Sequence, residues 1–277
     1  MTSLLHLFNT ASTLFFGALF APFGALDALW PMLLISIAAG ALMLWIFGKT
    51  SNQSAVRLVR DRIRGNLIGV RLFQHDALVL LRLQGRILRD TLVYMRHSLV
   101  PLLVMILPAI WIMTQLNLRF TSRPLAPGER TVLKVKVRDA AALGGPIALE
   151  ASEGVEVETP PVRIASLREA AWRVRVDSPG RHRVTVVLGE ERLEKSLAAG
   201  GGWAAVSARR TGAGPLDALL YPGEPPIAPA SAIESIEVNY DSASIRLFGL
   251  NWNWIVFFFV FSLIFGFLFK GPMGVEI

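Results

Sequence analysis

The sequence predicts an α-helical membrane protein with three transmembrane helices and a cytoplasmic helical hairpin, into which an extracytoplasmic, immunoglobulin-like β-sandwich is inserted. Three observations carry this. Hydrophobic residues make up 53% of the 277-residue chain and its mean hydropathy is +0.48, above that of an ordinary soluble domain. Three apolar stretches, residues 30–47, 99–118 and 252–269, contain no Lys, Arg, Asp or Glu, and each approaches the ~20 residues needed to cross a bilayer. Between the second and the third, period-two alternation replaces the long apolar runs.

Residues 1–29 carry no Lys or Arg. They therefore lack the positive n-region of a cleavable signal and are expected to be retained. Their apolar run, 14–23, is too short to span and is interrupted by Pro22, so it reads as a helix lying in the outer interface or as a frayed leader to the first span.

Orientation follows from Lys and Arg in short loops. The segment 49–97 holds ten basic residues against three acidic ones, which makes it cytoplasmic. The uncharged N-terminus then lies outside, and Lys270, at the head of the tail 270–277, lies inside. The segment 119–250 is nearly neutral, with 17 basic and 16 acidic residues. A region this long is translocated largely regardless of charge. The expected location is a bacterial inner membrane, with the β domain in the periplasm.

Within 49–97, Thr50, Ser51 or Asn52 can cap a helix whose apolar face is Val56, Val59, Ile63, Leu67 and Val70. The turn "FQHD" follows, with Asp76 as the next cap. Leu81, Leu88, Leu92 and Met95 then share one face of a second helix, antiparallel to the first. Only Gly85 interrupts the pattern before Pro101, so the second arm is expected to run on into the second span, kinked at Pro101 and Pro108. Arginines recur at Arg57, Arg60, Arg64 and Arg71 on one arm and at Arg82, Arg86, Arg89 and Arg96 on the other. Each set falls on one side of its helix. These stripes read either as a solvated topology determinant or as a contact for a polyanion, lipid headgroups or ribosomal RNA.

In 119–250, "TVLKVKVR", "PIALEA", "GVEVETP", "PVRIAS", "AAWRVRVD", "HRVTVVLG", "SIEVNY" and "SIRLFG" alternate between apolar and polar positions, separated by Gly and Pro turns. The stretch 211–231 is rich in Pro and Gly and reads as a long surface loop. "AAGGGWAAV" lacks the Lys-Ser/Thr ending of a phosphate-binding loop and reads as a tight turn.

Little suggests covalent chemistry. The chain has no cysteine, which excludes disulfides and thiolate metal sites. His6, His75, His97 and His182 are scattered without ligand spacing. No catalytic residue, metal site or cofactor is expected. The informative polar groups lie in or beside the spans: Ser36, Thr114, Gln115, Asn117, Asn251, Asn253 and Ser262. They read either as interhelical pairs or as one wall of a hydrophilic groove.

The arrangement of "FAPF" before the first span, "KTSNQSAVRLVRDRIRGNL" at its exit, "LLRLQGRILRDTLVYMRHSLVPLLVMILPAIWIMTQLNLRF" through the second and "LIFGFLFKGPMGVEI" at the end resembles the Oxa/YidC insertase superfamily. The likeness is to its minimal three-span branch, which includes archaeal YidC-like proteins and the insertase subunit of the endoplasmic reticulum membrane complex. It covers residues 1–120 and 250–277. The resemblance implies a non-enzymatic factor with a coiled-coil hairpin, assisting membrane-protein insertion through a hydrophilic groove. Its partners would be lipids, nascent membrane proteins and the ribosome. The inserted β domain points to an alternative, a structural subunit of an envelope or transport complex in which that domain docks a partner.

Overall fold

The computed structural model describes residues 2–24, 26–201, 205–212 and 214–275. Gly202, Trp203 and Ala204 of the glycine-rich turn lie outside these residues, as do the end of the tail and the side chain of His6. The chain divides into two compact units, one made of 1–31 and 111–254, the other of 32–110 and 255–277.

Helices α2, α3 and α4 cover Leu29–Thr50, Gln53–Leu72 and Ala77–Phe120. Asp27 accepts the Leu29 N–H at 3.1 Å ahead of α2, and Pro31 is tolerated because its missing N–H falls in the first turn. Of the three candidate caps for α3 it is Asn52 that accepts the Ala55 N–H, at 3.1 Å. Asp76 accepts from both Leu78 and Val79 at 3.1 Å and starts α4. At 44 residues α4 is about 66 Å long, more than twice the ~30 Å hydrocarbon layer. No break separates the hairpin arm from the apolar segment, and Pro101 and Pro108 both lie inside the helix.

In the second unit, Gly69 approaches the Leu83 side chain and Asn66 donates to Asp90 at 3.5 Å, which sets α3 antiparallel to the arm of α4. Val56 and Val59 are buried as the α3 pattern predicts, but Leu67 is exposed. On α4 the expected face is reversed. Leu81, Leu88, Leu92 and Met95 are exposed, and the side towards α3 carries Leu83 and the buried Asp90 instead. The 3.6-residue period shows that a helix has an apolar stripe, not which of two stripes its neighbour takes.

Helix α6, Trp254–Lys270, packs on α2 backbone to backbone. A Cβ on Gly40 would lie 2.6 Å from the Ser262 carbonyl oxygen, so only glycine fits. This is the small-residue crossing of apolar helices. The third predicted span needs correction. It was expected from Trp252, but Trp252 belongs to a strand, and α6 has 17 residues. Among the described residues two helices, α2 and α4, are long and apolar enough to cross a membrane.

In the first unit, Thr2–Phe20 forms a helix, α1, of 19 residues, longer than the apolar run that suggested it. Eleven strands follow among the described residues. They are β1 (Glu129–Val137), β2 (Ile147–Ala151), β3 (Val155–Val157), β4 (Val162–Ile164), β5 (Glu169–Val176), β6 (Gly180–Leu188), β7 (Glu191–Ala199), β8 (Arg209–Thr211), β9 (Ile233–Val238), β10 (Ile245–Leu247) and β11 (Leu250–Trp252). One sheet runs β3-β5-β1-β9-β8, with β4 also on β5; another runs β2-β6-β7. All strand pairs are antiparallel. Alternation works as read: Leu133, Val135 and Val137 of β1 and Trp172, Val174 and Val176 of β5 are buried with Val184 and Val186 of β6 in one core. The result is a sandwich-like β region.

The Pro- and Gly-rich stretch 211–231 is not a surface loop. It contains a short helix, α5 (Pro215–Leu220), and Ile227 is fully buried in the sandwich core. Ile227 anchors this irregular segment to the sandwich core.

Candidate functional site

The end of α4 extends past the predicted span boundary at Leu118 and carries Arg119 into the protein interior, only 4% exposed. Arg119 donates from one terminal nitrogen to the Gln115 carbonyl at 3.2 Å and to Gln115 Oε1 at 3.1 Å. The other donates to the Thr13 carbonyl of α1 at 2.9 Å. Its guanidinium lies 5.6 Å from the centre of the Phe20 ring. Nε is buried without an acceptor among the described residues, and no described carboxylate forms an ion pair with this cation. A buried cation neutralised only by carbonyl dipoles and a ring is costly to keep, and in an apolar helix such a residue is a functional candidate in its own right.

The surroundings are aromatic and sparsely polar. Trp111 donates to Ser12 Oγ at 2.9 Å and meets the Phe16 ring edge-on, centres 5.4 Å apart. Gln115 Nε2 is 3.4 Å from Thr13 Oγ1, and Phe20 packs on Phe120. One face of α1 thus presents Ser12, Thr13, Phe16 and Phe20 to about two and a half turns of α4, from Trp111 to Phe120. Sequence reading missed Arg119 because it falls one residue beyond the apolar run. Extending the helical face of Gln115 by four residues would have found it.

Most of the seven groove candidates have local surroundings of their own. Ser36 is buried but donates to the Met32 carbonyl of its own helix at 2.7 Å. Thr114 does the same to Trp111 at 2.9 Å and Ser262 to Phe259 at 3.1 Å. Such local bonds satisfy a hydroxyl inside an apolar helix without a partner helix. Asn117 accepts from the Thr121 hydroxyl at 2.6 Å. Asn251 sits exposed in β11, opposite Arg246, and Asn253 is exposed just before α6. Gln115 joins the Arg119 cluster that links α1 and α4.

All eight stripe arginines except the half-buried Arg60 are exposed. Arg89 pairs with Asp90 at 3.2 Å, and Arg64 approaches Asp61 at 3.9 Å.

A second buried charge lies in the β domain. Lys195, fully enclosed, donates to Glu224 Oε2 and to the Ser207 carbonyl, each at 2.5 Å. Glu224 also accepts from the Ser196 N–H at 2.6 Å and the Ser207 hydroxyl at 2.7 Å. Burial pushes the Glu224 carboxyl up, but the Lys195 ammonium and these hydrogen bonds outweigh it and hold the group below its ordinary value. Burial likewise pushes the nearby Tyr240 phenol up to about 12. Every oxygen of the pair is engaged, so this reads as a lock fastening 205–227 to β7.

Fold and site together define a protein with two apolar helices of membrane-spanning length among the described residues, a sandwich-like β region and a buried guanidinium at the end of α4. No protein-family model matches the chain, and a search of curated proteins finds no match. Among solved structures, domains 4 and 5 of the S-layer protein SbsC are similar over 28% of this chain and 47% of theirs, at 14% identity and a TM-score of 0.22. The chain thus spans less than half the length of that structure, and so slight a likeness bears on neither fold nor function.

Proposed function

We propose that this is a non-enzymatic protein of a bacterial inner membrane that assists the insertion or assembly of membrane proteins, similar in plan to the minimal Oxa/YidC branch. In this reading α2, α4 and the shorter α6 cross the membrane, and the hairpin is cytoplasmic. The β domain is periplasmic and of immunoglobulin-like type. The observation that carries it is Arg119. The resemblance implies a positive residue facing polar segments in transit, and the three apolar spans contain none. Arg119, with Gln115 and Thr13, supplies a cation and polar groups at the outer end of α4. There it can pair transiently with a carboxylate or backbone carbonyl that would otherwise cross hydrocarbon unpaired, at a cost of several kcal/mol.

A photo-crosslinker at Asn117, half-exposed on the same helix end, tests this in translating cells. It should capture short-lived nascent chains of many sizes, and Arg119→Leu should abolish capture while Arg119→Lys retains part of it. A single long-lived adduct, unaffected when translation is blocked, would overturn the reading. That outcome is what the second reading expects, a structural subunit of an envelope or transport complex whose β domain docks a partner. It is favoured by the hydroxyls of Ser36, Thr114 and Ser262, each of which bonds a carbonyl of its own helix.

A further inference from the structure

Helix α4 has two apolar stripes, and α3 covers only one. The other repeats every seven residues from Leu78. Calling Leu78 position a, the a positions are Leu78, Gly85, Leu92, Leu99 and Ile106, and the d positions are Leu81, Leu88, Met95, Leu102 and Ala109. The residues of this series are bare: Leu81 is 64% exposed, Leu88 64%, Leu92 59% and Met95 60%. Leu83 and Asp90, which face α3, fall at position f, on the far side of the helix.

We infer that this stripe is a coiled-coil seam for a second copy of the same chain, packed parallel. Three features select that occupant. The stripe runs over the 32 residues from Leu78 to Ala109, about 46 Å end to end, whereas the hydrocarbon layer is ~30 Å thick. Lipid cannot cover all of it, and a soluble partner would cover only the arm. A partner that crosses the membrane beside α4 covers both, and a second copy brings the same heptads in the same register.

The flanking charges choose the direction. Position e is Arg82, Arg89 and Arg96; position g is Gln84, Thr91 and Ser98. In a parallel pair, e faces the partner's g, so Arg89 meets a Gln84 amide and Arg96 a Thr91 hydroxyl, both neutral acceptors. In an antiparallel pair the rows of arginine would face one another. Copies inserted in one membrane share their orientation, so the choice of a second copy and the parallel geometry both rest on the membrane-spanning reading. Gly85 is the one a position of the arm without a side chain, and a Cβ there meets nothing within 4 Å.

The absence of cysteine makes the test direct. Single cysteines replacing Leu81, Leu88 and Met95 in the full chain, oxidised in native membranes, should each give a product of twice the chain's mass, because a parallel seam sets every a and d position against itself. Cysteine at Arg86, an exposed b position, should give little. Leu88→Arg with Leu92→Arg should weaken self-association in mild detergent at least tenfold, with amide exchange of the β domain unchanged. The inference is overturned if the three seam positions crosslink no better than Arg86→Cys. It is equally overturned if only one of them does, as in an antiparallel crossing, or if the adduct has another mass. None of these outcomes depends on whether nascent chains are captured at Asn117.

Discussion

The β region and the helical unit are built from one chain yet end in opposite conditions. Between the sheets, Leu133, Val135, Trp172, Val174 and Val186 are sealed from solvent, and the surface charges close among themselves. Arg123 bonds Glu129 and Asp241, and Arg175 bonds Asp177 and Glu156. In the helical unit, Leu88, Leu92, Leu102 and Leu107 stand open, and segment 49–97 keeps ten basic residues against three acidic. The β region completes its own core, whereas the helical unit leaves open an apolar surface of the kind that meets a membrane or another helix.

Substitutions that remove a buried group should therefore strike the first region and spare the second. The largest effect is expected at the Lys195–Glu224 lock. Lys195→Met strands a buried carboxylate and should cost about 3–5 kcal/mol, whereas adding Glu224→Leu should recover most of the loss. In the helical arm, Arg86→Gln, at an exposed position off the proposed seam, should change stability by less than about 0.5 kcal/mol. Amide exchange of β1 and β5 in the detergent-solubilised chain measures the first and exchange along α4 the second. Equal losses would erase the contrast.

Acid sharpens the contrast at a smaller scale. The folded Glu224 carboxyl titrates below its ordinary value, so the folded state binds fewer protons than the unfolded one in mild acid. Its contribution is then present above the ordinary carboxylate range, near pH 4.5, and is lost as the pH falls through the folded value. Exchange of the β-strand amides should accelerate below that pH, and Glu224→Gln should flatten this dependence. A variant that keeps the full acid sensitivity would show that other carboxylates control it.

Much of this division is legible in the sequence, because alternation and long apolar runs are both periodic. What escaped were the places where one residue breaks the period. Strand β7 was missed because Lys195 takes an inward position between Leu193 and Leu197, where the rule expects an apolar side chain. The segment 211–231 was misjudged because Ile227 and Glu224 anchor it singly, and single anchors have no period. The third span was started too early because Trp252 is as apolar in a strand as in a helix. Arg119 was passed over because a span was ended at its last apolar residue, although the helix continues to Phe120. On α4 the heptads and the face towards α3 overlap in sequence, and only the packing separates them.

The smallest effect on stability, and the finest test of the comparison, is expected at the arginine stripes. Arg57, Arg64 and Arg71 are exposed on the arm α3, in a segment of ten basic and three acidic residues, in contrast to the balanced β region. Reversing all three to Glu should leave β-strand exchange unaltered and should not unfold the hairpin, because exposed charges away from buried features contribute within about 0.5 kcal/mol. Association with anionic vesicles is another matter, since each basic residue near such a surface is worth about 1 kcal/mol. The unaltered protein should bind them more weakly as salt rises, with screening over about 10 Å at roughly 0.1 M. The reversed variant should bind less and lose its salt dependence. Ribosome sedimentation separates the two polyanions, because loss of ribosome binding with vesicle binding intact would assign the stripe to RNA. Persistence of both at every salt concentration would reduce the stripe to a determinant of topology.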